Sequence, residues 1–235
     1  MNFSIVIPVF NEELNIALLV EEIKNALIDN KNNYEIILVN DASTDNSFSV
    51  IKKLSKQNSK IIKIVNNQKN LGQSFSLIEG IKKSLYETII TIDGDGQNNP
   101  IDLPKLIDKY FSNESVFLVG GIRSKRKDSI IKILSSKIAN NIRNSILKDN
   151  CIDTGCSLKI FDKKTFMNFP FFNGIHRFLP ALFKGYGKET LFVSVDHRYR
   201  KHGYSKYGTF NRLFRGIRDM IKVYKIIRAL KNNHD

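Results

Sequence analysis

The sequence is poor in cysteine. Its two cysteines, Cys151 and Cys156, make neither a disulfide framework nor a four-ligand zinc site, and they fit a reduced, cytoplasmic setting. It also lacks an apolar run of the roughly 18 residues that a membrane-spanning helix needs. No basic segment with a cleavage site precedes the first apolar run, so no signal peptide is expected. Acidic residues are the minority charge: 23 Asp and Glu stand against 37 Lys and Arg, giving a net charge of +14. That excess implies a polyanionic partner, whether nucleic acid, nucleotide phosphates or an anionic membrane face. What the chain does contain is globular, with 42% hydrophobic and 10% aromatic residues. Its 235 residues can bury the core of one large α/β domain.

One stretch organises the rest: Ile89-Ile90-Thr91-Ile92-Asp93-Gly94-Asp95-Gly96-Gln97-Asn98-Asn99-Pro100. A β-branched apolar run of this kind reads as a buried strand, and it breaks off into two carboxylates one residue apart. In extended backbone, residues at i and i+2 point the same way, so Asp93 and Asp95 can converge on one ion. Hard oxygen ligands suit Mg²⁺ or Mn²⁺, which are commonly shared with substrate phosphates. The plainer reading is an acidic turn capping a helix that starts near Pro100.

The first 110 or so residues alternate between strand and helix patterns. Phe3 to Val9 reads as a first strand with Pro8 near its exit; Asn11 then suits a helix cap, with Glu12 and Glu13 in the first turn. Ile16, Leu19, Val20, Ile23 and Leu27 recur at helical spacing. Tyr34 to Val39 is a second strand ending in Asn40-Asp41-Ala42-Ser43-Thr44-Asp45. A third strand covers Ile61 to Val65, and Asn70-Leu71-Gly72 opens another helix. Parallel sheets bind ligands beyond the carboxyl ends of their strands. Three such ends carry polar constellations here: Pro8 to Glu12, Asp41, and Asp93 to Gln97.

In the second half, Val116 to Gly121 reads as a strand followed by the basic run Arg123 to Lys127, and Ile130 to Leu147 as an amphipathic helix carrying Lys132, Lys137 and Arg143. Asp153-Thr154-Gly155-Cys156-Ser157 leads into a short strand, Leu158 to Phe161. Phe166 to Phe172 is densely aromatic and fits either core or a lipid-facing loop. A short helix starts at His176 to Pro180, and Leu191 to Val195 is a last strand. The loop from His197 to Gly208 combines cations, hydroxyls and glycines, which is what anchoring a phosphate needs.

Residues 209 to 231 form the cleanest amphipathic helix. Phe210, Leu213, Phe214, Ile217, Ile221 and Tyr224 lie on one stripe, with Met220 and Ile227 at its margin and Arg212, Arg215, Arg218, Lys222 and Lys225 mostly on the other side. That pattern suits a helix in a membrane interface, or one that packs on the domain.

Taken in order, these motifs resemble a family 2 glycosyltransferase of the GT-A fold, closest to dolichyl-phosphate mannose synthase and the bacterial polyprenyl-phosphate glycosyltransferases. The resemblance runs from about Ser4 to Gly208. It implies an α/β fold with a mostly parallel central sheet flanked by helices. It also implies a glycosyltransferase domain at 1–208, with a nucleotide-sugar half (1–115) and an acceptor half (116–208), followed by a basic membrane-surface helix and tail at 209–235. Ile7 to Glu13 is similar to the donor-binding opening, which places Pro8, Phe10, Asn11 and Glu12 on the donor. Asp41 matches the acid that contacts the nucleoside, and Asn70-Leu71-Gly72 matches a helix start on the donor side. Asp93, Asp95 and Gln97 match the metal motif that serves Mg²⁺ or Mn²⁺. Gly121-Ile122-Arg123, Asp153 to Ser157 and the Arg200 to Tyr207 segment resemble the acceptor half, with Arg123, Lys132, Arg200, Ser205 and Lys206 as acceptor-phosphate candidates. Asp95, Arg123 and Arg200 are the candidate catalytic residues. Asn40 stands where aspartate is common, Ala42 where glycine is common, and Tyr199 where proline is frequent.

The resemblance implies inverting transfer of a sugar from a nucleotide-sugar such as GDP-mannose or a UDP-sugar to a polyprenyl or dolichyl phosphate. The enzyme is then expected to lie peripherally on the inner face of the membrane, through the C-terminal helix, the Phe166 to Phe172 region or a separate membrane protein. A rival expectation is a family 2 transferase acting on a saccharide or lipopolysaccharide hydroxyl, for which Asp153 is the candidate base. A nucleic-acid binder rests on net charge alone and leaves the acidic strand ends unexplained.

Overall fold

The computed structural model describes residues 1–124, 140–200 and 209–232, and within the last segment the side chains of 216–230. Seven strands form one sheet in the order β3-β2-β1-β4-β6-β5-β7. They are β1 (Phe3–Val9), β2 (Tyr34–Asn40), β3 (Ile62–Asn66), β4 (Thr88–Thr91), β5 (Val116–Arg123), β6 (Lys159–Asp162) and β7 (Glu189–Val195). Only β6 runs antiparallel to its neighbours, between β4 and β5. The helices are α1 (Ile16–Ala26), α2 (Ser47–Gln57), α3 (Gln73–Lys83), α4 (Leu103–Phe111), α5 (described over 140–147), α6 (Lys163–Met167), α7 (Leu179–Gly185) and α8 (Thr209–Asn232).

Central strands are covered on both faces, which is why they read as unbroken apolar runs. One core unites Ile5, Ile7, Ile36, Leu38 and Ile90 with Ile16, Leu19 and Ile23 of α1 and Leu103 and Leu106 of α4. The opposite face joins Val6, Ile37, Val39 and Ile89 to Leu77 and Ile81 of α3, to α7 and to Val223 of α8. Pro8 is tolerated inside the sheet because pairing with β4 stops at Val6↔Thr91. Its missing N–H therefore faces no strand partner.

One local expectation is corrected, and one left open is decided in favour of the core. Asn11 does not cap α1, which starts at Ile16 with Asn15 in the cap position. Phe166, Phe169 and Phe172 are buried in the core, and Phe171 alone of that aromatic cluster is exposed.

Helix α8 packs on the domain, but through an unexpected face. Asp219 and Val223 are buried, and Met220, Ile226 and Ile227 pack beside Val223. Ile217, Ile221 and Tyr224, from the stripe that the sequence pattern picks out, are 45%, 49% and 43% exposed. The helix thus has two apolar faces, one docked and one open.

Candidate active site

The exits of β1 and β2 are zipped together. Thr44 N–H donates to Asn11 Oδ1 at 2.8 Å, and Asn11 N–H donates to Ser43 Oγ at 3.1 Å. Glu12 N–H donates to Ser47 Oγ at 2.8 Å, and Asn46 N–H donates to Glu13 Oε2 at 2.8 Å. Asn11 and Ala42 both have φ of 54°, an uncommon conformation for side-chain-bearing residues. Such strain is held where surrounding bonds over-determine the backbone, as they do here. Asp41 is buried and fixes the approach to α3. Its Oδ1 accepts from Asn67 Nδ2 (2.8 Å) and Leu71 N–H (3.0 Å), and its Oδ2 accepts from Gly72 N–H (2.8 Å). A carboxylate oxygen has two acceptor positions, so Oδ2 retains one.

β4 ends at Thr91; Asp93 follows it outside the paired strand, and Asp95 lies in the turn that begins at Gly94. The turn brings the acids together nonetheless. Gly94 packs under β1: a Cβ there would lie 3.0 Å from the Pro8 carbonyl oxygen. The turn is also pinned from the second half of the chain. Asp93 N–H donates to Ser157 Oγ at 3.2 Å, Ser157 Oγ donates to Asn98 Oδ1 at 2.6 Å, and Thr91 Oγ1 donates to the Ser157 carbonyl at 2.7 Å. Gln73, the first residue of α3, donates through Nε2 to Asp93 Oδ1 at 2.6 Å. Burial and then the charge of Asp95 push the Asp93 carboxyl up to about 7, against the pull of Ser157, Lys159 and Arg123. Gln97 N–H donates to Asp95 Oδ1 at 3.1 Å.

Arg200 reaches this edge. Its Nη2 lies 2.5 Å from Asp95 Oδ2 and its Nη1 lies 3.5 Å from Glu12 Oε1. Arg123 stands on β5 and grips Asp153: Nε and Nη2 each lie 2.7 Å from a carboxylate oxygen, and its backbone N–H adds a third bond at 3.1 Å. Arg143 is built into the structure, since it is buried against Asp149 and the Cys151 carbonyl. Lys132, Ser205 and Lys206 lie outside the described residues, as do Lys125 to Lys127 and Lys137.

The donor set fits a hard divalent cation. The Asp95 charge that helps to push the Asp93 carboxyl up would be offset by a cation between them, and the Gln97 amide is adjacent in sequence. Among the described residues no three His, Cys, Asp or Glu side chains form a closed metal cage. The protein ligands would then leave positions for substrate oxygens and water, as Mg²⁺ sites usually do.

Sequence reasoning gave no site role to Asn67, Gln73 or His176, and named Ser157 only within the Asp153 to Ser157 motif. Asn67 follows β3 and Gln73 opens α3, so both sit at the ligand-binding edge. Ser157 and His176 come from the second half and line a cleft with Gln73, Asp93 and Lys159. Only the antiparallel insertion of β6 carries Ser157 there.

The model of the family described as "Glycosyl transferase family 2" matches residues 4–171. The chain belongs to glycosyl transferase family 2. Among its relatives in the family is dodecaprenyl-phosphate galacturonate synthase of Rhizobium johnstonii, 33% identical over 97% of this chain and 68% of that protein. Undecaprenyl-phosphate 4-deoxy-4-formamido-L-arabinose transferases of Pectobacterium carotovorum and Shewanella sediminis are 30% and 32% identical, each over 88% of this chain and 62% of their own length. The chain thus spans less than two thirds of these last two relatives. Glucosyl-3-phosphoglycerate synthase of Mycobacterium tuberculosis, in complex with Mn²⁺, UDP and phosphoglyceric acid, superimposes with a TM-score of 0.69. That match covers 96% of this chain and 78% of that one at 16% identity, and it establishes the GT-A fold.

Proposed function

We propose that this chain transfers a sugar from a nucleotide-sugar to a polyprenyl phosphate, with inversion at the anomeric carbon. The observation that carries the reading is the meeting of Asp95 and Arg200 at 2.5 Å. A donor-side carboxylate and an acceptor-side cation thereby share one edge of the sheet. Similarity to enzymes named for dodecaprenyl and undecaprenyl phosphate, over 88–97% of the chain, supports the acceptor class.

Asp93, Asp95 and Gln97 would hold Mg²⁺ or Mn²⁺. When bound, the cation supplies charge neutralisation to the diphosphate leaving group. Pro8, Phe10, Asn11, Glu12 and Gly72 shape the donor cleft, and the remaining Asp41 acceptor position suits an N–H of the nucleobase. In the reaction an acceptor phosphate oxygen forms a bond to the anomeric carbon while the bond to the nucleoside diphosphate breaks. The phosphate is already anionic near neutral pH, so no proton has to be removed. What the protein must do is hold two anions in line. Arg200 and Arg123 are the described residues for that, with Lys132, Ser205 and Lys206 as further candidates.

A hydroxyl acceptor would need a base. Asp153 is engaged by Arg123 through three hydrogen bonds, which favours the phosphate acceptor. The relatives carry galacturonate and formamido-arabinose, so a mannosyl donor has no special support among them. Among the described residues no helix is long and apolar enough to cross a membrane. The open face of α8, flanked by exposed Arg218, Lys222, Lys225 and Arg228, supports peripheral attachment to the inner, anionic leaflet.

The test is a donor screen with undecaprenyl phosphate, Mg²⁺ or Mn²⁺, GDP-mannose and a panel of UDP-sugars. A lipid-linked monophosphosugar is the expected product. Transfer only to a saccharide hydroxyl would overturn the reading.

A further inference from the structure

Asp219 is an acid buried to 4% exposure in the interface between α8 and the domain, beside Val223 and Met220. An apolar residue would pack there without desolvating a charge, so burial alone does not account for it. Its nearer partner is Arg177, whose Nη2 lies 2.7 Å from Asp219 Oδ2, while the exposed Arg218 stands 3.8 Å from Oδ1. Arg177 closes the 3₁₀ turn Ile175–Arg177, and that turn is fastened to the start of α3. Gly174 N–H donates to Ser74 Oγ at 2.8 Å, and Ser74 Oγ shares a second hydrogen bond of 2.7 Å with His176 Nδ1. Ser74 is buried, and its neighbour Gln73 holds Asp93 Oδ1 at 2.6 Å. The close seat of Asp219 also depends on Gly174, where a Cβ would come within 2.6 Å of Asp219 Oδ2.

From α8 to the first carboxylate of the metal motif, then, every step is a polar contact of 2.8 Å or less or a peptide bond. We propose that Asp219 is a positioning residue for the donor site: through Arg177 and the 174–176 turn it holds Ser74 and Gln73, and so keeps the Gln73 amide on Asp93. The same ion pair fixes the rotation of α8, and with it the direction of the open Ile217, Ile221 and Tyr224 face. Seating of the helix and readiness of the metal carboxylate are thereby linked. The inference rests on the proposed role of Asp93 and Asp95 as metal ligands.

The test measures Mn²⁺ binding alone, by electron paramagnetic resonance, on the full chain carrying Asp219→Asn, Asp219→Glu or the pair Arg177→Gln/Asp219→Asn. The pair leaves no buried charge unpaired, so it keeps the question open to measurement if the single Asn variant folds poorly. Mn²⁺ affinity is expected to fall about tenfold in Asp219→Asn and in the pair, in line with the loss of an outer partner of a metal ligand. Asp219→Glu should restore much of it. Adding Ser74→Ala to the pair should cost little more, because both lie on one path. Parental Mn²⁺ affinity in a folded pair variant would overturn the proposal, as would a fully additive loss with Ser74→Ala. Failure of the underlying site looks different: the parent would bind no Mn²⁺, or Asp95→Ala would bind it as the parent does.

Discussion

The guanidinium of Arg200 lies 2.5 Å from Asp95 Oδ2 and 3.5 Å from Glu12 Oε1, so one cation from the loop after β7 bridges acids at the exits of β4 and β1. A positive group thus stands against the carboxylate that the family reading assigns to the divalent ion. On the proposed reading the two cations would compete for Asp95, and donor binding would turn Arg200 toward the second anion.

Arg200→Ala separates these roles. Mn²⁺ alone should bind about two- to fivefold more tightly, the equivalent of a partly exposed ion pair. Use of polyprenyl phosphate should fall about 10- to 100-fold, since a charge-assisted contact contributes roughly 1.5–3 kcal/mol. Binding isotherms for Mn²⁺ and steady-state kinetics with each substrate varied provide the check. Equal losses for donor and acceptor would place Arg200 on the donor.

Asp95→Ala should lower transfer by on the order of 10²–10³-fold or more, as loss of a group that stabilises developing charge does. Its carboxylate touches Arg200 and the Gln97 N–H at the rim of the site, so the melting temperature should barely move. Chelation of divalent ions should silence the parent in the same way. Full activity in either condition would end the metal role.

Asp93 gives the site a pH signature. Burial and then Asp95 push its carboxyl up to about 7, well above the ordinary 3.8. A raised folded-state value means that the protonated form stabilises the metal-free protein at low pH. That contribution is lost as pH rises from about 4 through about 7. Mn²⁺ needs the ionised form, so its affinity should climb between pH 6 and 8 and then level off. The increase in melting temperature caused by Mn²⁺ should grow over the same interval. A metal-induced shift independent of pH would show that Asp93 does not titrate there.

The acidic turn and the alternating first half were legible because doubly covered strands such as Ile5 to Val9 and Ile36 to Val39 leave a continuous apolar trace, and because Asp93-Gly94-Asp95 breaks one off abruptly. The antiparallel β6 was not legible as such. Lys159–Asp162 is only four residues long, and nothing local tells which way a short buried strand runs. Asn11 misled because its side chain bonds across to Thr44, a partner 33 residues away that no capping rule sees. Asp219 was hidden among the charges of α8. Helical spacing reveals two apolar faces there without saying which one the domain covers. The expectation of phosphate anchoring beyond Arg200 rests on a pattern of residue types, and Ser205 and Lys206 lie outside the described residues.

The open face of α8 yields the last prediction. Ile217→Glu and Ile221→Glu should abolish flotation with anionic vesicles while leaving the melting temperature almost unchanged, because these side chains are 45% and 49% exposed and belong to neither core cluster of the described residues. Val223 is fully buried, so Val223→Asp should instead cost more than about 2 kcal/mol of stability by burying an unpaired acid. Each basic residue near the surface contributes on the order of 1 kcal/mol, so Arg218, Lys222, Lys225 and Arg228 together are enough for reversible attachment. High salt should weaken that attachment by screening, and the inserted Ile and Tyr side chains should leave a residual term. Transfer to a short, water-soluble prenyl phosphate should survive the Ile→Glu changes, because the proposed donor, acceptor and metal residues precede Thr209 and these two side chains lie on the face of α8 opposite Asp219. Vesicle binding that persists in the double Ile→Glu variant would assign the membrane surface to another part of the chain. Loss of transfer to the soluble acceptor would mean that the outer face of α8 acts on the site itself.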